Sequence, residues 1–338
     1  AGTFTTADLT VTNGAATLNG TFSSDSLSFN KAVTLAGNTT ITNSAASETV
    51  HFADAITGAS NSLSINTGAT QFDGTVSGLS SLSTAATTIN CASITSSGVQ
   101  TYNGAITISQ NTILSASEID FLATIGSSNK LTVNAPVFKS AASADNTITL
   151  SEIEFAADTS IQTNTRKLTF DVTTISGTGK TISLSSGSKA DLKAGSIVSP
   201  AVSNSGTITC IGAVTFNDAV VNTNGAITCN GAATFKGAYS GSGASLTLSS
   251  GTSLFESDLD LSGTTLSHSN GTVQIGGSAT GKVTIKGPQN FNNFETSRSL
   301  IIYGTNSFND FTATNLGGKS LSFEAGRTQN INGNLSLS

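Results

Sequence analysis

Residues 206–220 read GTITCIGAVTFNDAV, and residues 225–239 read GAITCNGAATFKGAY. The copies lie 19 residues apart (225 − 206), and Gly206/Gly225, Ile208/Ile227, Cys210/Cys229, Gly212/Gly231 and Phe216/Phe235 coincide. A period near twenty, carried by short Thr-rich strands that Gly and Asn interrupt, is the mark of a stacked solenoid. Within each copy apolar and polar residues alternate, so Ile208 and Cys210 face inward while Thr207 and Thr209 face water. The same alternation recurs in Leu9–Thr12, Ile106–Ser109, Ile148–Ser151, Ile182–Ser185, Leu246–Ser249 and Val283–Ile285, which read as half-buried strands. No segment sustains a helical period with a cap. Ser115–Ala123 (SASEIDFLA) comes nearest, and it suits a bent strand equally well.

A second recurring unit is an aromatic residue, a turn residue, a spacer, then a small or apolar pair. It occurs at Phe29–Val33, Phe52–Ile56, Phe72–Val76, Tyr102–Ile106, Phe216–Val220 and Phe308–Phe311. We read it as a corner: the ring packs inside, and Asn, Asp or Gly accepts the left-handed backbone of a sharp bend. Phe121, Phe138, Phe155 and Phe170 continue at similar spacing and imply an aromatic stack inside the coil. Asn30, Asn103 and Asn217 are expected to form hydrogen-bonded ladders between turns. These features predict an all-β chain, a right-handed parallel β-helix with rungs of roughly 17–23 residues and loops of variable length. Right-handedness follows the crossover preference of parallel strands; the six-residue aliphatic spacing of three-sided left-handed helices is not sustained. With about 4.8 Å between stacked strands, the chain would make a rod on the order of 80 Å long.

Composition narrows the function classes. Charged residues make up only 10%, against about 25% in an average soluble domain. No apolar run approaches the ~20 residues of a spanning helix, so no membrane span is expected. Aliphatic and aromatic residues recur too regularly for disorder. The net charge is −6, and Lys31 is the only lysine or arginine before Lys130, which argues against nucleic acid as a partner. Three cysteines make no disulfide framework. The chain opens AGTFTTADLTV, already in strand alternation and without an initiator Met. It reads as processed or, preferably, as an excerpt of something longer.

Residues 50–83 (VHFADAITGASNSLSINTGATQFDGTVSGLSSLS) and 87–109 (TTINCASITSSGVQTYNGAITIS) resemble the repeats of large bacterial surface proteins of the filamentous-haemagglutinin and autotransporter-passenger type. Residues 290–338 (NFNNFETSRSLIIYGTNSFNDFTATNLGGKSLSFEAGRTQNINGNLSLS) resemble another repeat style of such proteins, notably spirochaete-like ones. The resemblance implies an architecture and a cell-surface, extracellular setting, and it carries over no catalytic residue. Such systems also have an N-terminal secretion domain and a C-terminal barrel, which this sequence does not show, so the export route stays open.

Candidate chemistry is sparse. His51 and His268 are the only histidines, without a metal-ligand or nucleophile-elbow context, and both read as surface or corner residues. Glu152 and Glu154 share a strand face near Asp158, and Asp258 and Asp260 form a similar pair. Paired carboxylates suit glycosidic acid–base work, but each pair reads as an exposed acidic edge. A β-helical polysaccharide lyase or hydrolase would need clustered Asp with Arg or Lys, and only Arg166-Lys167 offers adjacent cations. Cys210 and Cys229 are expected one rung apart, where a disulfide is geometrically conceivable and a stack of small buried hydrophobes is the preferred reading, and Cys91 shares their Ile-x-Cys pattern. Outward Thr10/Thr12 and Thr207/Thr209 read as solvated strand faces. We therefore expect one β-solenoid over 1–338, a non-enzymatic structural or adhesive rod of a bacterial surface protein. No catalytic, cofactor-binding or metal residues are expected. Its partners would be itself, a host or neighbouring-cell surface, or a glycan. Two alternatives stand beside it: a filament or sheath subunit stacking end-to-end, since the sequence stops in the unfinished strand pattern Leu335–Ser338, and a β-helical polysaccharide-degrading enzyme. An adhesive face would show exposed aromatics, and with only Tyr102, Tyr239 and Tyr303 as tyrosines that signal is weak.

Overall fold

Alternation at this spacing leaves each strand with one apolar edge of side chains and two open hydrogen-bonding edges, and stacking satisfies both. The computed structural model describes residues 3–43, 48–277 and 283–338. Among them there is no helix, and parallel strands stack as a β-solenoid of about 16 turns. The chain divides into two compact units, residues 1–172 and 173–338.

The repeat that opens the sequence is one turn of the second unit. Thr207 pairs with Ala226, Ile208 with Ile227, Thr209 with Thr228 and Cys210 with Cys229. The following strands keep the same register, with Val214 on Ala233 and Phe216 on Phe235, then Val220 on Tyr239. Ile208, Cys210, Ile227 and Cys229 are all buried. The two sulfurs lie 3.6 Å apart as free thiols, in a stack of small hydrophobes. Cys91 is likewise free and buried. Most register offsets fall within the expected range; the extremes are 17 residues (Val283 on Leu300) and 26 (Leu259 on Ile285).

Aromatic residues pile up rung on rung. In the first unit Phe29, Phe52 and Phe72 stack at 5.1 and 5.6 Å, and Tyr102, Phe121, Phe138 and Phe155 follow at 5.3, 5.1 and 5.8 Å. In the second unit Phe216, Phe235 and Phe255 stack at 5.0 and 4.7 Å. Phe170 is buried. Ser115–Ala123 is strand, bend and strand, with Thr112–Ser115 followed by Glu118–Phe121.

The corners differ from the sequence expectation in the cause of the bend. None of the turn residues after the stacked aromatics has a left-handed backbone; among non-glycine residues positive φ falls on Ala59, Ser60, Asn224, Asn270 and Asn315. The aromatic corner bends while its hydrogen-bond ladder continues: Asp73 N–H donates to Phe52 O at 2.9 Å, and Lys236 N–H to Phe216 O at 2.9 Å. Glycine is needed there for proximity instead. A Cβ on Gly237 would meet the backbone of Asp218 and Ala219 in the rung beneath, and one on Gly74 would meet that of Asp54 and Ala55. The Asp side chain below each glycine turns onto its own corner, with Asp218 Oδ1 accepting from Ala219 N–H at 2.7 Å and Asp54 Oδ1 from Ala55 N–H at 2.7 Å.

Of the corner asparagines, Asn103 and Asn217 bond to the preceding turn as expected, through serine and backbone rather than a second amide, while the Asn30 side chain bonds locally. Asn103 Nδ2 donates to Ser83 Oγ at 3.1 Å and Thr84 O at 3.0 Å, and Asn217 Nδ2 to Ser199 Oγ at 3.2 Å. Asn30 Oδ1 accepts from Ser28 Oγ at 3.2 Å. Neighbouring rungs offer Ser or backbone at those sites rather than a second amide. The asparagine ladder lies inside the coil: Asn204 Nδ2 donates to Asn222 Oδ1 at 2.9 Å, and Asn222 Nδ2 to the Tyr239 hydroxyl at 3.2 Å.

Gly237→Ala tests the proximity argument. The backbone beneath cannot rotate out of the way as a side chain would, so a loss of about 1–3 kcal/mol is expected. Gly126→Ala is the control, because its Cβ would meet nothing within 4 Å and its stability should change by no more than about 0.5 kcal/mol. Urea titrations of the two variants provide the measurement, and equal midpoints would refute the argument.

Candidate functional site

The expected acidic pair Glu152 and Glu154 lies outward on the strand Asn146–Phe155, directly over the strand Lys130–Asn134. Lys130 Nζ bridges the two carboxylates, at 3.1 Å from Glu152 and 2.9 Å from Glu154. Thr132 Oγ1 adds a 3.0 Å donation to Glu154. The bond from Lys130 holds the Glu154 carboxyl below its ordinary value, and the bond to Glu154 raises the Lys130 ammonium. These carboxylates clamp one rung to the next. A twin arrangement went unread in the sequence: Glu118 and Asp120 sit beneath Lys139, at 3.5 and 4.0 Å. Burial pushes the Asp120 carboxyl up, although Ala141 N–H and Lys139 pull the other way.

The sign of the pH response follows. A depressed Glu154 contributes stability above its ordinary value of 4.5, lost as pH falls through the lower folded value. A raised Lys130 contributes stability below 10.5, lost as pH rises through its folded value. Both groups are partly exposed, so Lys130→Ala should cost no more than about 1 kcal/mol at pH 7. The difference from the parent should shrink as pH falls through the lowered folded value of Glu154. Melting curves across pH check this, and a cost independent of pH would reject the clamp.

The histidines stay apart from these clusters. His51 Nε2 lies 2.7 Å from Asp73 Oδ2 in the next rung. Burial raises the Asp73 carboxyl, but donations from Gln71, His51 and Asn90 outweigh it and the net shift is downward. His51 is thus a half-buried corner partner. His268 Nε2 lies 2.8 Å from Asn290 O. Asp145 Oδ1 accepts from Lys167 N–H at 3.0 Å, while Arg166 is exposed. Among the described residues no group of three or more His, Cys, Asp or Glu is placed to hold a metal, and no helix is long and apolar enough to cross a membrane.

The second acidic pair leads to a place where varied chemistry gathers. Asp258 Oδ1 accepts from Thr284 N–H at 2.7 Å, and Lys286 Nζ meets Asp260 Oδ2 at 2.8 Å. Register sets Lys286 directly beside Tyr303 on the next strand. Tyr102 and Tyr239 are buried core residues, whereas Tyr303 is 39% exposed. It walls an open cleft of about 460 Å³ with Thr284, Lys286, Glu324 and Arg327. Glu324 Oε2 accepts from Gly304 N–H at 2.8 Å and pairs with Arg327 Nε at 3.4 Å. Gly304 has a φ of +80°, and a Cβ there would strike Gly287 and Pro288, so bare backbone lies beside the ring.

The chain matches no family model, no curated protein and no solved structure. The cleft and the clamps therefore rest on geometry alone. Sequence reading reached Asp258, Asp260 and Tyr303 separately. It did not reach Lys286, Glu324 or Arg327, which only the register of successive rungs brings together.

Proposed function

We propose that this chain is a structural or adhesive part of an extracellular bacterial surface protein and works without catalysing a reaction. The observation that carries this reading is where its few charges go. Lys130, Lys139 and Lys286 each pair with a carboxylate of a neighbouring rung. Inside the second unit, the Phe216, Phe235, Phe255 stack and the Asn204–Asn222 pair both link successive rungs. Such a stack sums nearest-neighbour terms into a stiff support, and its outer strand faces remain free to carry a recognition surface. Antibodies raised against the chain and applied to intact cells of its source organism test the setting. Labelling without permeabilisation is expected; labelling only after lysis would reject it.

A second reading, self-association, draws on one apolar face. Phe323, Leu335 and Leu337 are 48%, 56% and 54% exposed on neighbouring short strands. A further rung would cover them, whether from the same polypeptide or from a second copy. Sedimentation velocity over a wide concentration range decides for this chain: growing assemblies support the second copy, and a constant monomer removes it.

A further inference from the structure

We propose that the cleft beside Tyr303 is a binding site for an acidic saccharide, in which a pyranose ring lies against the phenol ring and its carboxylate is met by Arg327 and Lys286. The proposal rests on the surface reading above only for the source of such a glycan; binding itself is a property of the isolated chain.

Four observations converge on this ligand. The cleft holds about 460 Å³, within the span of about 300–1,000 Å³ usual for small-molecule sites. Its aromatic wall is outward on a strand, where packing gives it no reason to be. Tyr102 and Tyr239 show what this fold does with a structural tyrosine: each is buried, with its hydroxyl bonded to an inner amide side chain, Gln100 and Asn222 respectively. Tyr303 has neither burial nor such a partner in the core. An exposed ring with a polar tip offers an apolar face and a hydroxyl at the edge, the complement of a sugar's C–H face and its hydroxyl rim.

The cations decide the charge of the ligand. Lys286 spends one donor on Asp260, and Arg327 meets Glu324 through Nε. Their side chains are 51% and 54% exposed, and the outer edge of the guanidinium is a planar fork suited to a carboxylate. Glu324 is engaged with the Gly304 amide and Arg327. It therefore holds the cleft's backbone and its arginine in place. The glycine at 304 keeps the adjacent wall free of a side chain, so an elongated oligosaccharide can lie across the rungs. A bare inorganic anion would leave Tyr303 idle, and a neutral sugar would use Tyr303 without drawing on the outward donors that Lys286 and Arg327 keep beyond their carboxylate partners.

The test uses the whole chain, a short oligogalacturonate and the same oligosaccharide with its carboxylates methyl-esterified. Titration calorimetry measures affinity. Tyrosine emission provides a second readout, because the chain has no Trp and only three Tyr. The acid form should bind about tenfold or more tightly than the ester, a difference of about 1.4 kcal/mol. Tyr303→Ala should weaken the acid form by about tenfold while Tyr303→Phe retains binding, and Arg327→Gln should bring acid and ester to similar affinity. All three changes lie at the surface, and unchanged melting curves exclude misfolding as the cause. Absence of binding by either form at millimolar concentration would overturn the proposal. So would binding unaffected by both Tyr303→Ala and Arg327→Gln, or complete competition by sulfate at matched ionic strength. Any of these would leave the cell-labelling result untouched, so the two readings fail separately.

Discussion

Phe235→Ala is expected to lower the unfolding free energy by about 3–5 kcal/mol, the range for truncating a buried phenylalanine. Phe235 is fully buried. Its ring lies between Phe216 at 5.0 Å and Phe255 at 4.7 Å, nearly parallel to both at 14° and 2°, and meets Tyr239 edge-on at 5.7 Å. Removing it therefore opens a void on two interfaces at once, and the flanking rungs are tied by ladder hydrogen bonds that resist collapse. The comparison is Phe4→Ala, whose ring is 47% exposed and touches only Phe22 among the rings, at 6.3 Å. That change should cost no more than about 1 kcal/mol. Urea unfolding followed by far-ultraviolet circular dichroism measures both. Because a solenoid sums neighbouring terms, the Phe235 variant should also split the transition, its broken interface separating two sets of rungs. A loss below about 1 kcal/mol for Phe235→Ala would show that the stack is ornament rather than support.

Asn222→Asp should cost about 3–5 kcal/mol at pH 7, the scale of an uncompensated buried charge. Asn222 is completely buried; its Oδ1 accepts from Asn204, and its Nδ2 donates to Tyr239 and to Ser245 O at 3.1 Å. A carboxylate keeps the acceptor and loses both donations, leaving its charge against the Ser245 carbonyl. Burial then raises the new carboxyl's folded pKa above its unfolded value. The penalty is present above the folded value and is relieved as pH falls through it, so the variant should approach the parent in acid. This is opposite to the Glu154 clamp, which is lost in acid. Asn222→Ala provides the reference: it orphans partners without adding charge, and its cost should vary little with pH. Parallel behaviour of the Asp and Ala variants across pH would disprove the role assigned to the inner amide.

The architecture was legible because a parallel stack repeats its own sequence. Ile208 over Ile227, Cys210 over Cys229 and Phe216 over Phe235 are neighbours in space for the same reason that they match in the sequence. The corners were legible in position and misread in cause. Asn and Gly suggest a left-handed bend by composition, yet at Gly74 and Gly237 the constraint comes from the backbone of another rung, which no local window contains. The inner Asn204–Asn222 ladder was hidden similarly, since each residue alone resembles a turn asparagine. The clamps and the cleft depend on register across offsets of 17 to 26 residues. Lys130 could not be assigned to Glu152 and Glu154, nor Lys286 to Tyr303, before the length of each turn was known.

The matched copies at 206–220 and 225–239 have a further consequence for how such a gene can vary. Excising the 19 residues from Gly206 to Asn224 would set Gly225 where Gly206 stood, Cys229 over Leu192 in place of Cys210, and Phe235 over Val198 in place of Phe216. The inward positions at 208, 210, 214, 216 and 220 would still receive buried residues, while the buried Asn222 would give way to Gly241. A cut one residue longer or shorter would turn the following strand inside out unless a loop absorbed the difference. A gain or loss of one whole turn at this place therefore leaves the phase of the following strands unchanged. Any other change of length has to be taken up in a loop, as the turns of 17 to 26 residues already do.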